Sequence, residues 1–112
     1  MKKIVLILIL TLSLQANFKS GNDLVKNKVE YEKPENSKTI SYYEVASYVN
    51  YIFGVHDSLE GVLICTPSNV TGRQIIAIVG KYIDNHPEKW NQPAQYLVVP
   101  PLMNAFPCKK KK

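Results

Sequence analysis

The sequence predicts an all-α protein, a compact bundle of three to four helices stapled by one disulfide. Three observations lead there. Apolar residues between Tyr42 and Ala105 recur at spacings of three and four rather than in alternation. Ser41-x-x-Glu44 and Thr71-x-x-Gln74 place capping boxes at the heads of two of these stretches. Cys65 and Cys108 are the only cysteines, 43 positions apart.

Taken in chain order, residues 1–16 read as a secretory signal peptide. Lys2 and Lys3 form a basic start, and the 11 residues from Ile4 to Leu14 form an apolar run too short to anchor in a bilayer. Ser13-Leu14-Gln15-Ala16 offers cleavage after Ala16, although Leu14 stands where a small residue is preferred. About 96 residues would remain, enough for one domain with a modest core. Residues 17–40 form a polar segment, partly helical from Gly21 to Lys28 with Ser20 or Asn22 as cap. Pro34 and the scarcity of apolar side chains make 29–38 a loop.

The second helix is expected to start at Ser41. Tyr42, Val45, Val49, Ile52, His56 and Leu59 would form its buried stripe, widened by Ala46 and Phe53. Gly54 lies inside it, where a close approach by another helix would explain a glycine, and Glu60-Gly61 ends it. Val62 to Cys65 is read as an apolar link that carries the cysteine inward. The third helix follows Thr71 and buries Ile75, Ile76, Val79, Tyr82 and Ile83, until His86-Pro87 stops it. Pro93 suits the first position of a fourth helix, with Ala94, Leu97, Val98, Leu102 and Ala105 as its stripe. Pro100-Pro101 should kink or break that helix. Phe106-Pro107 then turns Cys108 toward Cys65. An exported protein meets an oxidising compartment, so the two cysteines should pair, and closing a loop of this length restricts the unfolded chain by roughly 4 kcal/mol. Free thiols or a shared metal are the competing readings, and two cysteines without nearby histidines make a poor zinc site.

The net charge of +5 is concentrated at the ends. Lys2 and Lys3 belong to the signal and Lys109 to Lys112 form a basic tail, while residues 17–108 carry eight basic and nine acidic side chains. Nucleic-acid binders carry basic charge on a folded face, so no nucleic-acid partner is expected. The tail suits either plain solvation or an anionic membrane surface. No stable membrane span should remain after signal cleavage.

Chemistry is hard to find. His56-Asp57 and His86 with Glu88 are the only groups resembling acid–base pairs. His56 sits on an apolar stripe, where a hydrogen-bonded core histidine is the plainer reading, and His86 suits the carbonyls at a helix end. Ser58 and Ser68 lack a nucleophile-elbow context, and no Gly-rich phosphate loop, HExxH or CxxC occurs. No enzyme activity, cofactor or metal is therefore expected. Tyr43 and Tyr51 point away from the core stripe and suggest a dimer interface, while Trp90 in a polar loop is either a binding anchor or a side chain folded onto the bundle.

The stretch from Tyr51 to Cys108 resembles the Rap/Tai family of type VI secretion amidase immunity proteins. A Y-I-x-G-V-x-D segment is matched by Tyr51, Ile52, Gly54, Val55 and Asp57. C-x-P-x-x-V-T is matched by Cys65, Pro67, Val70 and Thr71, followed by Gln74. Lys81, Tyr82, Ile83, His86, Pro87 and Glu88 match the next motif, and Ala105 to Cys108 match a closing A-F-P-C. Relatives often carry a second cysteine pair, which this chain lacks. The resemblance implies a helical homodimer over residues 41–108 that binds a peptidoglycan amidase effector in the periplasm and obstructs its active-site groove. Asn85, His86, Glu88, Trp90 and Asn91, in the loop after the third helix, are the candidate partner-binding residues. The alternative is a small periplasmic helical chaperone or stress protein, although two histidines and a near-neutral core offer little of a pH switch.

Overall fold

The protein is described from a computed structural model that covers residues 18–109. The expected signal peptide at 1–16 lies outside the described residues. Four helices follow one another: α1 (Gly21–Tyr31), α2 (Tyr42–Leu59), α3 (Gly72–Asn85) and α4 (Gln95–Ala105), with a single 3-10 turn at Pro87–Lys89. Among the described residues there is no strand, only isolated bridges, and the fold is all-α as expected.

The heads of α1, α2 and α3 are each set by a short polar residue, whereas α4 starts after Ala94 without a side-chain cap. Ser20 caps α1: its hydroxyl accepts from the Asp23 N–H at 3.1 Å and the Asp23 carboxylate accepts from the Ser20 N–H. Hydrogen bonding of the carboxylate to the Ser20 N–H, and to the Ser20 hydroxyl, holds the Asp23 carboxyl below its ordinary pKa. Thr71 and Gln74 form the same reciprocal pair at α3, as the sequence predicts. At α2 only half of the box exists. Ser41 accepts from the Glu44 N–H, but the Glu44 carboxylate turns away to the Asn27 amide. The Ser41 N–H is met by Glu30 from α1 at 3.0 Å. The box is thus completed from another helix, which no local pattern encodes.

The core is one apolar cluster built on Leu24, Ile52, Ile64, Val79, Ile83, Leu97, Val98 and Leu102, each fully buried. Each such side chain contributes roughly 1.5–3 kcal/mol by leaving water. α3 buries Ile75, Ile76, Val79 and Ile83 as its spacing predicts, with Tyr82 half-buried. α2 differs from its expected stripe. Tyr48 is 1% exposed and central, whereas Tyr42 is 74% exposed. Tyr42 is the first residue of the helix and lies beyond the reach of the packed neighbours, while Tyr48 packs against Tyr31 at 5.1 Å between ring centroids, the rings tilted by 41°. That contact accounts for a second difference: α1 runs to Tyr31, past the expected stop at Lys28, because Glu30 and Tyr31 find partners on α2.

Pro100 and Pro101 do not end α4, which runs through both. A proline φ suits a helix; what is lost is the two N–H donors. Leu97, Val98 and Leu102, buried around them, offset that loss. Gly54 meets nothing within 4 Å and is not a close-approach site. The link after α2 turns at Gly61, whose φ is +82°, and only Ile64 goes inward; Val62 is 68% exposed and Leu63 is exposed as well. Ile64 bridges to Pro107, the Cys65 N–H donates to the Phe106 carbonyl at 2.9 Å, and Cys65 and Cys108 form the expected disulfide across a Cα–Cα distance of 4.9 Å.

Candidate functional site

The segment from Asn85 to Asn91 links the end of α3 to α4, and its shape is set from three sides. His86 caps α3. Its ring stacks on Tyr82 at 3.9 Å between centroids, and its Nδ1 lies 2.8 Å from the Tyr82 carbonyl, so that nitrogen carries the proton and donates. The Lys89 ammonium donates to the Tyr82 hydroxyl at 2.7 Å, and the Trp90 indole N–H donates to the Ile83 carbonyl at 2.9 Å. Trp90 therefore folds back onto the bundle, half-buried against the core. Two of the α3 carbonyls left free at the helix end, those of Tyr82 and Ile83, are met by the loop's own side chains.

The third side is α1. The Gly21 N–H donates to the Gln92 carbonyl at 2.7 Å, the Ala94 N–H donates to the Lys19 carbonyl at 2.9 Å, and Ser20 bridges to Pro93. A Cβ on Gly21 would stand 2.5 Å from the Trp90 carbonyl oxygen, so backbone rests directly on backbone. Gly21 was not among the candidate residues. In sequence it looks like an ordinary helix start, and only the fold brings Trp90 to it.

The five candidate residues thus divide. Asn85, Glu88 and Asn91 are exposed on one loop, while His86 and Trp90 turn inward and fix it. The other histidine, His56, is buried and held by the Asp57 carboxylate at 3.0 Å, the Thr66 hydroxyl at 2.8 Å and Glu60 at 3.2 Å. It pins the end of α2 to the segment after Cys65, the packed and hydrogen-bonded role its stripe position predicts. Ser58 donates to the Val55 carbonyl inside its own helix.

The loop between α3 and α4 is thus held from α3 and from α1 on a helical body closed by the Cys65–Cys108 disulfide. A family model described as Rap1a immunity proteins matches residues 20–108, and the chain belongs to that family. It is thus an immunity protein, of a class that acts by neutralising a toxin. The match begins at the α1 cap, so α1 falls within it. A comparison with curated proteins finds no match. No helix among the described residues is long and apolar enough to cross a membrane.

Proposed function

We propose that this protein is exported to the periplasm, behind a signal at residues 1–16, and there binds and occludes a peptidoglycan amidase effector of a type VI secretion system. The loop bearing Asn85, Glu88 and Asn91 enters the effector's groove, with His86 and Trp90 holding its shape. The rigidity of that loop carries the reading. It is tied to α3 by His86 and Trp90 and to α1 by Gly21, so binding orders little that is not already ordered. Family membership supports the toxin partner. The protein acts as a homodimer, a reading favoured by Tyr42 and Tyr43, 74% and 79% exposed side by side at the head of α2.

The test is growth rescue. A type VI amidase encoded beside this chain is directed to the periplasm with and without it. Rescue that requires residues 1–16, with co-purification of the pair, is the expected result. Absence of both rescue and binding would discard the amidase as the target. Glu88→Ala with Asn91→Ala should weaken the complex by at least ~1 kcal/mol at unchanged melting temperature. In light scattering the purified protein should show the mass of two chains, and Tyr42→Glu with Tyr43→Glu the mass of one.

A further inference from the structure

A second surface lies where α1 meets α3. A groove of about 430 Å³ runs between them, lined by Lys28, Tyr48, Arg73, Gly80 and Lys81 among others, and it reaches Asn85. The Tyr48 ring is buried, with 1% of the residue exposed, and Tyr48 lines this groove, where its hydroxyl is within reach of a ligand. Gly80 beneath it has no side chain to shut the groove: a Cβ there would lie 3.4 Å from the Tyr48 hydroxyl and 3.3 Å from Lys28 Cε.

The charges around that hydroxyl are uneven. The Lys28 ammonium is held by Glu32 at 2.6 Å and by Asp84 at 3.0 Å, so the two carboxylates of the groove are already engaged. Arg73 and Lys81, two turns apart on the same face of α3, form no ion pair with any described residue. The Tyr48 hydroxyl thus lies in a groove flanked by two cations that no described carboxylate engages. A carboxylate can accept from the phenol while meeting Arg73 or Lys81, and a second acidic side chain of the same segment can meet the other.

We propose that the α1–α3 groove is a docking site for an acidic segment of a protein partner, whose carboxylate accepts a hydrogen bond from Tyr48 between Arg73 and Lys81. This deepens the reading above, since it rests on a protein partner and adds a contact continuous with the candidate loop through Asn85. Its two cations are spaced about two turns apart along α3, as successive acidic side chains of an extended segment require.

The full exported chain is titrated with a blocked oligo-glutamate peptide, with an oligo-lysine peptide of equal length and with phosphatidylglycerol vesicles, and read by NMR. Oligo-glutamate should shift the Tyr48, Arg73 and Lys81 signals and oligo-lysine should not. Arg73→Ala with Lys81→Ala should weaken binding about tenfold or more. Tyr48→Phe, which removes only the donor, should weaken it about threefold to tenfold. Gly80→Ala should weaken it while leaving the melting temperature near that of the parent. No shift with oligo-glutamate, binding unchanged in the double variant, or groove shifts with vesicles but not peptide would each overturn the proposal. The peptide assay contains no toxin, so failed growth rescue with intact oligo-glutamate binding removes the amidase reading and leaves this site standing.

Discussion

α1 and α4 are of equal length, 11 residues each, and are held to the bundle by opposite means. α4 buries Leu97, Val98, Pro101 and Leu102, and its interior needs no polar partner. α1 buries one large apolar residue, Leu24, and otherwise turns Asn27 and Lys28 inward. Its attachments are directional: Asn27 to Glu44, Glu30 to Ser41, Lys28 to Asp84 and the Gly21 N–H to Gln92. Asn27 Oδ1 is the one buried side-chain polar atom without a partner among the described residues. Apolar packing yields stability without fixing position closely, whereas hydrogen bonds fix position and yield little net free energy. The helix that supports the candidate loop and borders the groove is the polar one.

The contrast is broken most severely at α4. Leu97→Ala removes a fully buried side chain from the shared core and should lower unfolding stability by about 2–5 kcal/mol in a denaturant titration. Hydrogen exchange should then rise across all four helices together. An effect confined to α4 would show that the core is not one cooperative unit.

Gly21→Ala comes next. The added methyl meets the Trp90 carbonyl, a backbone atom that cannot step aside, and should cost about 1–3 kcal/mol. Its signature is local: Trp90 fluorescence should change as the indole leaves Ile83. An unaltered Trp90 signal would mean that α1 does not set the loop.

Ser20→Ala removes the hydroxyl that caps α1 and should cost about 1 kcal/mol, with faster exchange at the start of that helix only. Thr71→Ala at α3 should cost about the same by melting temperature, but without local fraying, because Ile75 and Ile76 are buried just beyond it. Equal fraying at both would erase the distinction between the two helices.

The smallest change at neutral pH is Lys28→Met. The Lys28 side chain is 6% exposed, whereas Glu32 and Asp84 remain well solvated, so an apolar replacement should cost about 1 kcal/mol or less. The effect grows visible through pH. Burial alone would lower the Lys28 pKa, but the hydrogen bonds to Glu32 and Asp84 prevail and raise it above the ordinary 10.5. Stability from a raised group is fully present below its unfolded pKa and is lost as pH climbs through the folded one. Parent and variant should therefore converge above about pH 10.5, and a constant difference would refute the assignment. Burial raises the Tyr48 phenol in the same sense, so part of the alkaline loss should survive in Lys28→Met. On the acid side, Lys33 and the Ser41 N–H hold the Glu30 carboxyl below its ordinary 4.5. That contribution is present above 4.5 and is lost as pH falls through the depressed value, and α1 should be the first helix to loosen.

Local patterns were legible wherever the cause was local. Thr71 and Gln74 are three residues apart, and their cap is as expected. The α3 stripe follows one helical period over a face that is buried along its whole length. The loop residues fall where the sequence places them, in one segment, yet which of them point outward was not legible: Trp90 had two equal readings, and the Ile83 carbonyl beneath it chose one. Tyr42 and Tyr48 differ little as residue types, and neither spacing nor composition reports that Tyr31 would cover one of them.

By itself, then, the sequence determined the all-α class, two of the helix heads, the α3 face and the Cys65–Cys108 staple. Each depends on neighbours within one turn or on the fact that only two cysteines were present to pair. The tertiary structure decided the length of α1, the choice of Tyr48 over Tyr42, the passage of α4 through Pro100 and Pro101, and the seating of Trp90 on Gly21. In each of these the deciding partner stands on another helix or in a distant loop, and its contribution outweighs a local preference of about 1 kcal/mol per residue for most residue types.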